Sequence, residues 1–190
     1  MTDGDEAADP WADRAAPEWP VVESVTEYET PWYDGGYDRV EQPDGSTKRY
    51  YWAALQPAVV VVPVTDGQVV FVEQYRPVVR ATHLELPAGL VERGETYTTA
   101  GARELREETG FDPSGIALLE AVDVATGVLR HRRGYVFAEG LAPVERSLED
   151  NEFLSVVPVP VEEALERARA RPTNEATVQG LLLAREADLL

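Results

Sequence analysis

Three glutamates, Glu104, Glu107 and Glu108, stand at i, i+3 and i+4 in a stretch from Thr96 to Thr109 whose composition favours helix. That spacing puts their carboxylates on one side of a helix. Left unpaired they repel one another. A hard divalent cation such as Mg2+ or Mn2+, which prefers oxygen ligands, would neutralise them. Arg103, four residues before Glu107, can steady part of the cluster. Three acids on one helix are also what a solvated face of an acidic protein looks like, and the triplet alone favours that plainer reading.

The flanking residues overturn it. Gly89 is followed after five residues by Glu95, after seven more by Arg103-Glu104-Leu105, then by Glu107-Glu108 and Gly110-Phe111. This run resembles the Nudix box at every defined position. Many residue types at set spacings make chance agreement far less common than for a three-glycine motif. The resemblance implies that Glu104, Glu107 and Glu108 bind metal together with the Ala88 carbonyl, and that Glu107 and Glu108 thereby serve catalysis. It also implies that Glu95 and Arg103 orient loop and helix. Gly89 and Gly94 permit a loop whose backbone approaches metal or phosphate closely. The metal, Mg2+ or Mn2+, would polarise a phosphorus and lower the pKa of an attacking water.

Outside the box the chain resembles the ADP-ribose pyrophosphatase and nucleotide-sugar hydrolase branch of that family from about Val21 onward. Glu73-Gln74-Tyr75-Arg76 followed by Glu85-Leu86-Pro87-Ala88-Gly89 carries that likeness. It implies that Arg76 contacts a phosphate or terminal ribose; a surface charge at a strand end is the plainer alternative. It also implies that the N-terminal β element is exchanged across a homodimer, with Trp32, Tyr33 and Tyr37 as candidates for stacking on a base, although aromatics in a small β element are more often core. The branch places a catalytic glutamate in a loop before a late strand. Glu149, Asp150 and Glu152 occupy that stretch, and Glu152 is the first choice. Where the branch commonly carries Pro-Gly, this chain has Thr126-Gly127 and then Arg130-His131-Arg132-Arg133. Those four form either a phosphate-binding rim or charges paired with nearby acids.

The elements that must position these residues read as follows. Residues 1–20 are acidic, rich in Ala and Pro, and read as a mobile lead-in. Residues 21–56 read as a small antiparallel β element, with turn signals at Gly35-Gly36 and Pro43-Asp44-Gly45. Residues 57–190 read as the Nudix domain. Val59 to Val64 and Val69 to Tyr75 are β-branched runs joined by Thr65-Asp66-Gly67, a hairpin signal. Pro87-Ala88-Gly89 reads as loop, Thr96 to Thr109 as the key helix with Gly110 as its C-cap. Ile116 to Val124, Tyr135 to Glu139 and Phe153 to Val159 read as strands. Val161 to Arg171 and Thr173 to Leu190 read as helices broken at Pro172. The order predicts an α/β layered fold with a mixed sheet. With the resemblance this becomes a Nudix-type α/β/α sandwich carrying a small N-terminal antiparallel β element.

Composition narrows the partners. The chain has 190 residues with 35 Asp plus Glu against 17 Lys plus Arg, a formal net charge of -18. Such a field repels nucleic acid and acidic membranes. All basic residues but Lys48 are arginine, and the acidic, lysine-poor balance resembles that of proteins from salt-loving organisms; a GC-rich genome is the alternative for the arginines. With no cysteine, metal must sit on oxygen, with His83 and His131 the nitrogen alternatives. No basic-apolar leader stands in Met1 to Glu6, so a cytoplasmic location is expected. The leading expectation is metal-dependent hydrolysis of ADP-ribose or a related nucleoside diphosphate sugar to a nucleoside monophosphate and a sugar phosphate. Dinucleoside polyphosphates or modified nucleotides are the alternative substrates, and a non-catalytic nucleotide sensor on the same fold is the reading from another class.

Overall fold

The computed structural model describes residues 19–148 and 153–190. Eleven strands and three helices follow in the order β1 (Val21–Glu29), β2 (Tyr33–Glu41), β3 (Thr47–Leu55), β4 (Ala58–Thr65), β5 (Gln68–Arg76), β6 (Ala81–Glu85), β7 (Ala88–Leu90), α1 (Tyr97–Thr109), β8 (Phe111–Asp123), β9 (Leu129–Arg130), β10 (Arg132–Pro143), β11 (Leu154–Pro160), α2 (Val161–Arg169) and α3 (Glu175–Glu186). They form a four-stranded sheet, β1-β2-β3-β9, and a seven-stranded sheet, β11-β5-β4-β10-β8, with β6 added to β5 and β7 to β4. The larger sheet is mixed, since β10 runs parallel to β4 and antiparallel to β8.

The valine run of β4 shows why this sheet needs helices on both faces. Val59 and Val61 pack with Tyr97, Ala100 and Leu105 of α1. Val60 and Val62 pack with Ala164 and Ala168 of α2 and with Leu181 of α3. Alternate side chains of one strand point to opposite faces, so a continuous apolar run is stable only when both faces are covered. The result is an α/β/α sandwich with α1 on one side and α2 and α3 on the other.

Several elements depart from the sequence reading. The turn expected at Gly35-Gly36 is not there; both glycines lie inside β2, and the chain reverses at Thr30 to Trp32 instead, where the Thr30 hydroxyl donates to the Tyr33 carbonyl at 2.8 Å. A Cβ at Gly36 would lie 2.0 Å from the Val25 carbonyl oxygen, so the glycine answers a close strand approach and not a turn. Pro87-Ala88-Gly89, read as loop, runs into β7, which pairs with β4, and β6 went unread. β8 starts directly after Gly110 and β10 extends well beyond Tyr135 to Glu139. The Asp66-Gly67 hairpin is as expected, with both residues at positive φ.

Candidate functional site

Helix α1 is set at both ends. The Thr96 hydroxyl accepts from the Thr99 amide at 3.1 Å, and Gly110 closes the helix in the left-handed region. Leu105 and Ala100 bury one face in the α1-side core, which turns the glutamate face toward β7. There the carboxylate of Glu104 packs on the Gly89 backbone. A Cβ built on Gly89 would lie 2.0 Å from its Cδ and Oε1. Glu108 accepts through Oε2 from the Ala88 amide at 3.1 Å. Both glutamates are buried, while the side chain of Glu107 is 37% exposed.

Arg103 ties the face together. Its Nε and Nη2 donate to the two oxygens of Glu95 at 3.0 and 2.9 Å, Nη1 donates to Glu104 at 2.8 Å and Glu107 at 3.0 Å, and Nη2 also reaches the Leu90 carbonyl at 2.9 Å. The Arg103 hydrogen bond holds the Glu95 carboxyl below its ordinary value, and Glu95 in turn raises the Arg103 guanidinium further, burial opposing in both. Among the described residues no three acidic or histidine side chains converge as a ready coordination sphere. Glu104 and Glu107 are drawn to Arg103, and Glu108 to the amide. The donor set is nonetheless all oxygen, it is crowded with like charge, and Gly89 leaves the space a side chain would fill. Those features fit a hard divalent cation. His131 does not join them: its buried ring bonds through Nδ1 to the Gln56 carbonyl at 2.9 Å.

Beside the helix lies a cavity of about 650 Å³ whose walls include Glu104, Arg103, Ala88, Gly89, Arg76 and Trp32. Arg76 is aimed by Glu85, which receives its Nε and Nη2 at 2.9 and 2.6 Å. Glu85 is buried, and its other oxygen accepts from Asn174 at 2.6 Å. Asn174 also caps α3, and Thr177 one turn later accepts from the Leu86 amide at 3.0 Å. Sequence reasoning missed Glu85 and Asn174 as the holders of Arg76. An asparagine ahead of an apolar helical run was the available signal.

Of the aromatic candidates, only Trp32 lines the cavity. Tyr33 packs on Tyr28, with ring centroids 5.9 Å apart, and Tyr37 is buried against Tyr51 and the Arg49 guanidinium. The basic run divides. Arg130 pairs with Asp38 and lies 4.1 Å over the Trp52 ring, both within its own four-stranded sheet, whereas Arg133 reaches the cavity wall. Glu149, Asp150 and Glu152, the candidate loop acids, lie outside the described residues.

The sequence model of the NUDIX domain matches residues 54–181. An ADP-ribose pyrophosphatase of Bacillus subtilis (strain 168) is 33% identical over 140 residues, 72% of this chain and 76% of that protein. A methanol dehydrogenase activator of Bacillus methanolicus is 32% identical over 132 residues, 68% of this chain and 71% of that protein. In fold, the crystal structure of an ADP compounds hydrolase superposes with a TM-score of 0.81 at 22% identity, covering 92% of this chain and 96% of that one. With the box residues gathered at Gly89 and a domain match over most of its length, the chain belongs to the Nudix family of hydrolases.

Proposed function

We propose that this hydrolase cleaves the diphosphate of ADP-ribose or a related nucleoside diphosphate sugar, giving a nucleoside monophosphate and a sugar phosphate. The observation that carries the reading is the burial of Glu104 and Glu108 against Gly89 and Ala88, with Glu104, Gly89 and Ala88 at the wall of a cavity that Arg76 also lines. The relative named ADP-ribose pyrophosphatase supports the substrate class. In this reading the Ala88 carbonyl, Glu104, Glu107 and Glu108 hold divalent metal, Mg2+ or Mn2+. Bound there, it would neutralise the diphosphate, polarise a phosphorus and make water a nucleophile near neutral pH. Arg103, fixed by Glu95, keeps Glu104 at the cavity wall and Glu107 beside it. Arg76, held by Glu85, presents its guanidinium to phosphate or terminal ribose, and Trp32 stacks on the base. Glu152 remains the proposed base, on the sequence resemblance alone. The β1-β2-β3 element, with exposed Trp32, Tyr33 and Tyr28, is proposed to dimerise. No helix among the described residues is long and apolar enough to cross a membrane.

The test is a Mg2+-dependent phosphate-release screen, coupled to a phosphatase, over ADP-ribose, nucleotide sugars and dinucleoside polyphosphates. Turnover of a nucleoside diphosphate sugar, lowered about a hundredfold or more in Glu108→Gln, is expected. Absence of turnover, or a fully active variant, would refute the reading.

A further inference from the structure

The cavity has two ends, with the β7 backbone between them. Arg76 and Glu85 stand at one. At the other, Arg133 on β10 is opposite Ala58 on β4, and Ala58 is opposite Leu90 on β7. Two strand spacings, about 10 Å, therefore separate Arg133 from β7, whose Gly89 faces Glu104. Tyr33 on β2 is opposite Leu55 on β3, which brings Trp32, one residue earlier, beside Gln56, one residue later. Gln56 is held in place by the ring of His131, which bonds to its carbonyl. Trp32, Gln56 and Arg133 all line the cavity.

Arg133 differs from the other two arginines on these walls in what its donors already do. Arg103 spends Nε and both terminal nitrogens on three carboxylates and a carbonyl, and Arg76 gives two donors to a buried carboxylate. Among the described residues Arg133 bonds through Nη1 alone, to Glu175 at 3.0 Å and, at 3.4 Å, to the Tyr135 hydroxyl. Its side chain is 17% exposed, and its remaining donors are free of protein partners but not sealed from water, while that of Glu175 is 68% exposed. An exposed carboxylate gives up such a pair at small cost. Arg133 thus stands on the cavity wall with Nε and Nη2 uncommitted to other side chains among the described residues and open to a ligand.

We infer that Trp32, Gln56 and Arg133 form a base-reading pocket, in which Arg133 donates from Nε and Nη2 to a ring nitrogen or carbonyl oxygen of a nucleobase stacked on Trp32. The inference rests on the reading that a nucleoside diphosphate lies in the cavity with its diphosphate beside Glu104. The distance from β7 places Arg133 at the substrate's base end, beyond the diphosphate. A guanidinium carries donors only, and the Gln56 amide carries both a donor and an acceptor. Together they discriminate bases by where acceptors fall on the edge, as arginine and glutamine do on nucleic-acid bases.

The experiment compares kcat/KM for ADP-, GDP-, CDP- and UDP-glucose and for ADP-ribose, in the full chain and in Arg133→Met and Arg133→Lys. The ratios among the four bases should shift by about tenfold or more in both variants, since a charged hydrogen bond is lost and lysine lacks the planar fork. The ratio of ADP-ribose to ADP-glucose should stay put. A uniform fall across bases, full rescue by lysine, or no change would overturn the inference. Equilibrium binding of AMP, GMP, CMP and UMP to the same three proteins is read without turnover. If nothing is hydrolysed but the order of monophosphate affinities changes in the variants, the hydrolase reading fails and base reading stands. If hydrolysis proceeds and neither order nor ratio moves, base reading alone fails.

Discussion

A methyl group at position 89 would collide with the Glu104 carboxylate, and this contact has a direct consequence for activity. Gly89→Ala must push Glu104 out of its place against β7. The variant is expected to fold, because Gly89 lies at the cavity wall, and to lose tenfold or more in kcat, in line with the cost of misplacing a proposed metal-holding group by about 1 Å. A variant with unchanged kcat would show that the Glu104 placement is irrelevant to turnover. His131 makes a second prediction. Burial, with Arg133 nearby, pushes its imidazole below the ordinary 6.5. The folded chain therefore resists a proton that the unfolded chain takes up, so the ring's contribution is intact above pH 6.5 and is lost as pH falls below it toward the folded-state value. Denaturant unfolding of wild type should weaken more steeply than that of His131→Gln as pH falls below 6.5. Parallel slopes would discard the idea. Glu95, held below 4.5 by Arg103, acts in a lower window: its contribution is present above 4.5 and is lost in stronger acid.

At the scale of elements, α1 was legible because its information is local. Its N-cap, its C-cap and the i, i+3, i+4 spacing all lie within a few turns. Thr96→Ala removes the cap that meets the Thr99 amide and should cost about 1 kcal/mol, read as a lower urea midpoint with an unchanged slope. A midpoint equal to wild type would mean the cap contributes nothing. Strands β6 and β7 were not legible. Five and three residues carry too little alternation to declare a strand, and they are strands only because β5 and β4 offer partners from elsewhere in the chain. Gly35-Gly36 misled for a related reason: a glycine needed for close approach looks, in sequence, like a glycine needed for a turn.

For the whole molecule the governing quantity is charge, 35 acids against 17 basic residues. Self-repulsion of that size destabilises the compact state, and dissolved salt screens it. The unfolding midpoint is expected to rise in molar KCl, as for a chain suited to high salt; a midpoint independent of KCl would end the halophilic proposal. The acids are not spread without pattern. Asp38, Glu85 and Glu95 each take an arginine, so part of the excess holds Arg130, Arg76 and Arg103 where the fold needs them.

Sequence by itself determined the family and the helix face that carries the three glutamates, since both depend on spacing along a single short segment whose geometry is local. It also predicted the layered α/β fold, through the order of apolar runs. Only the tertiary structure decided which candidate outside the box reaches the cavity: Trp32 and not Tyr33 or Tyr37, and Arg133 and not Arg130. It alone supplied the partners that aim Arg76, Glu85 and Asn174, which stand 89 residues apart in the chain. Neighbouring strand residues face opposite sides, so one residue of register separates a cavity wall from a core. That register is set by pairing between distant strands, which no local pattern records.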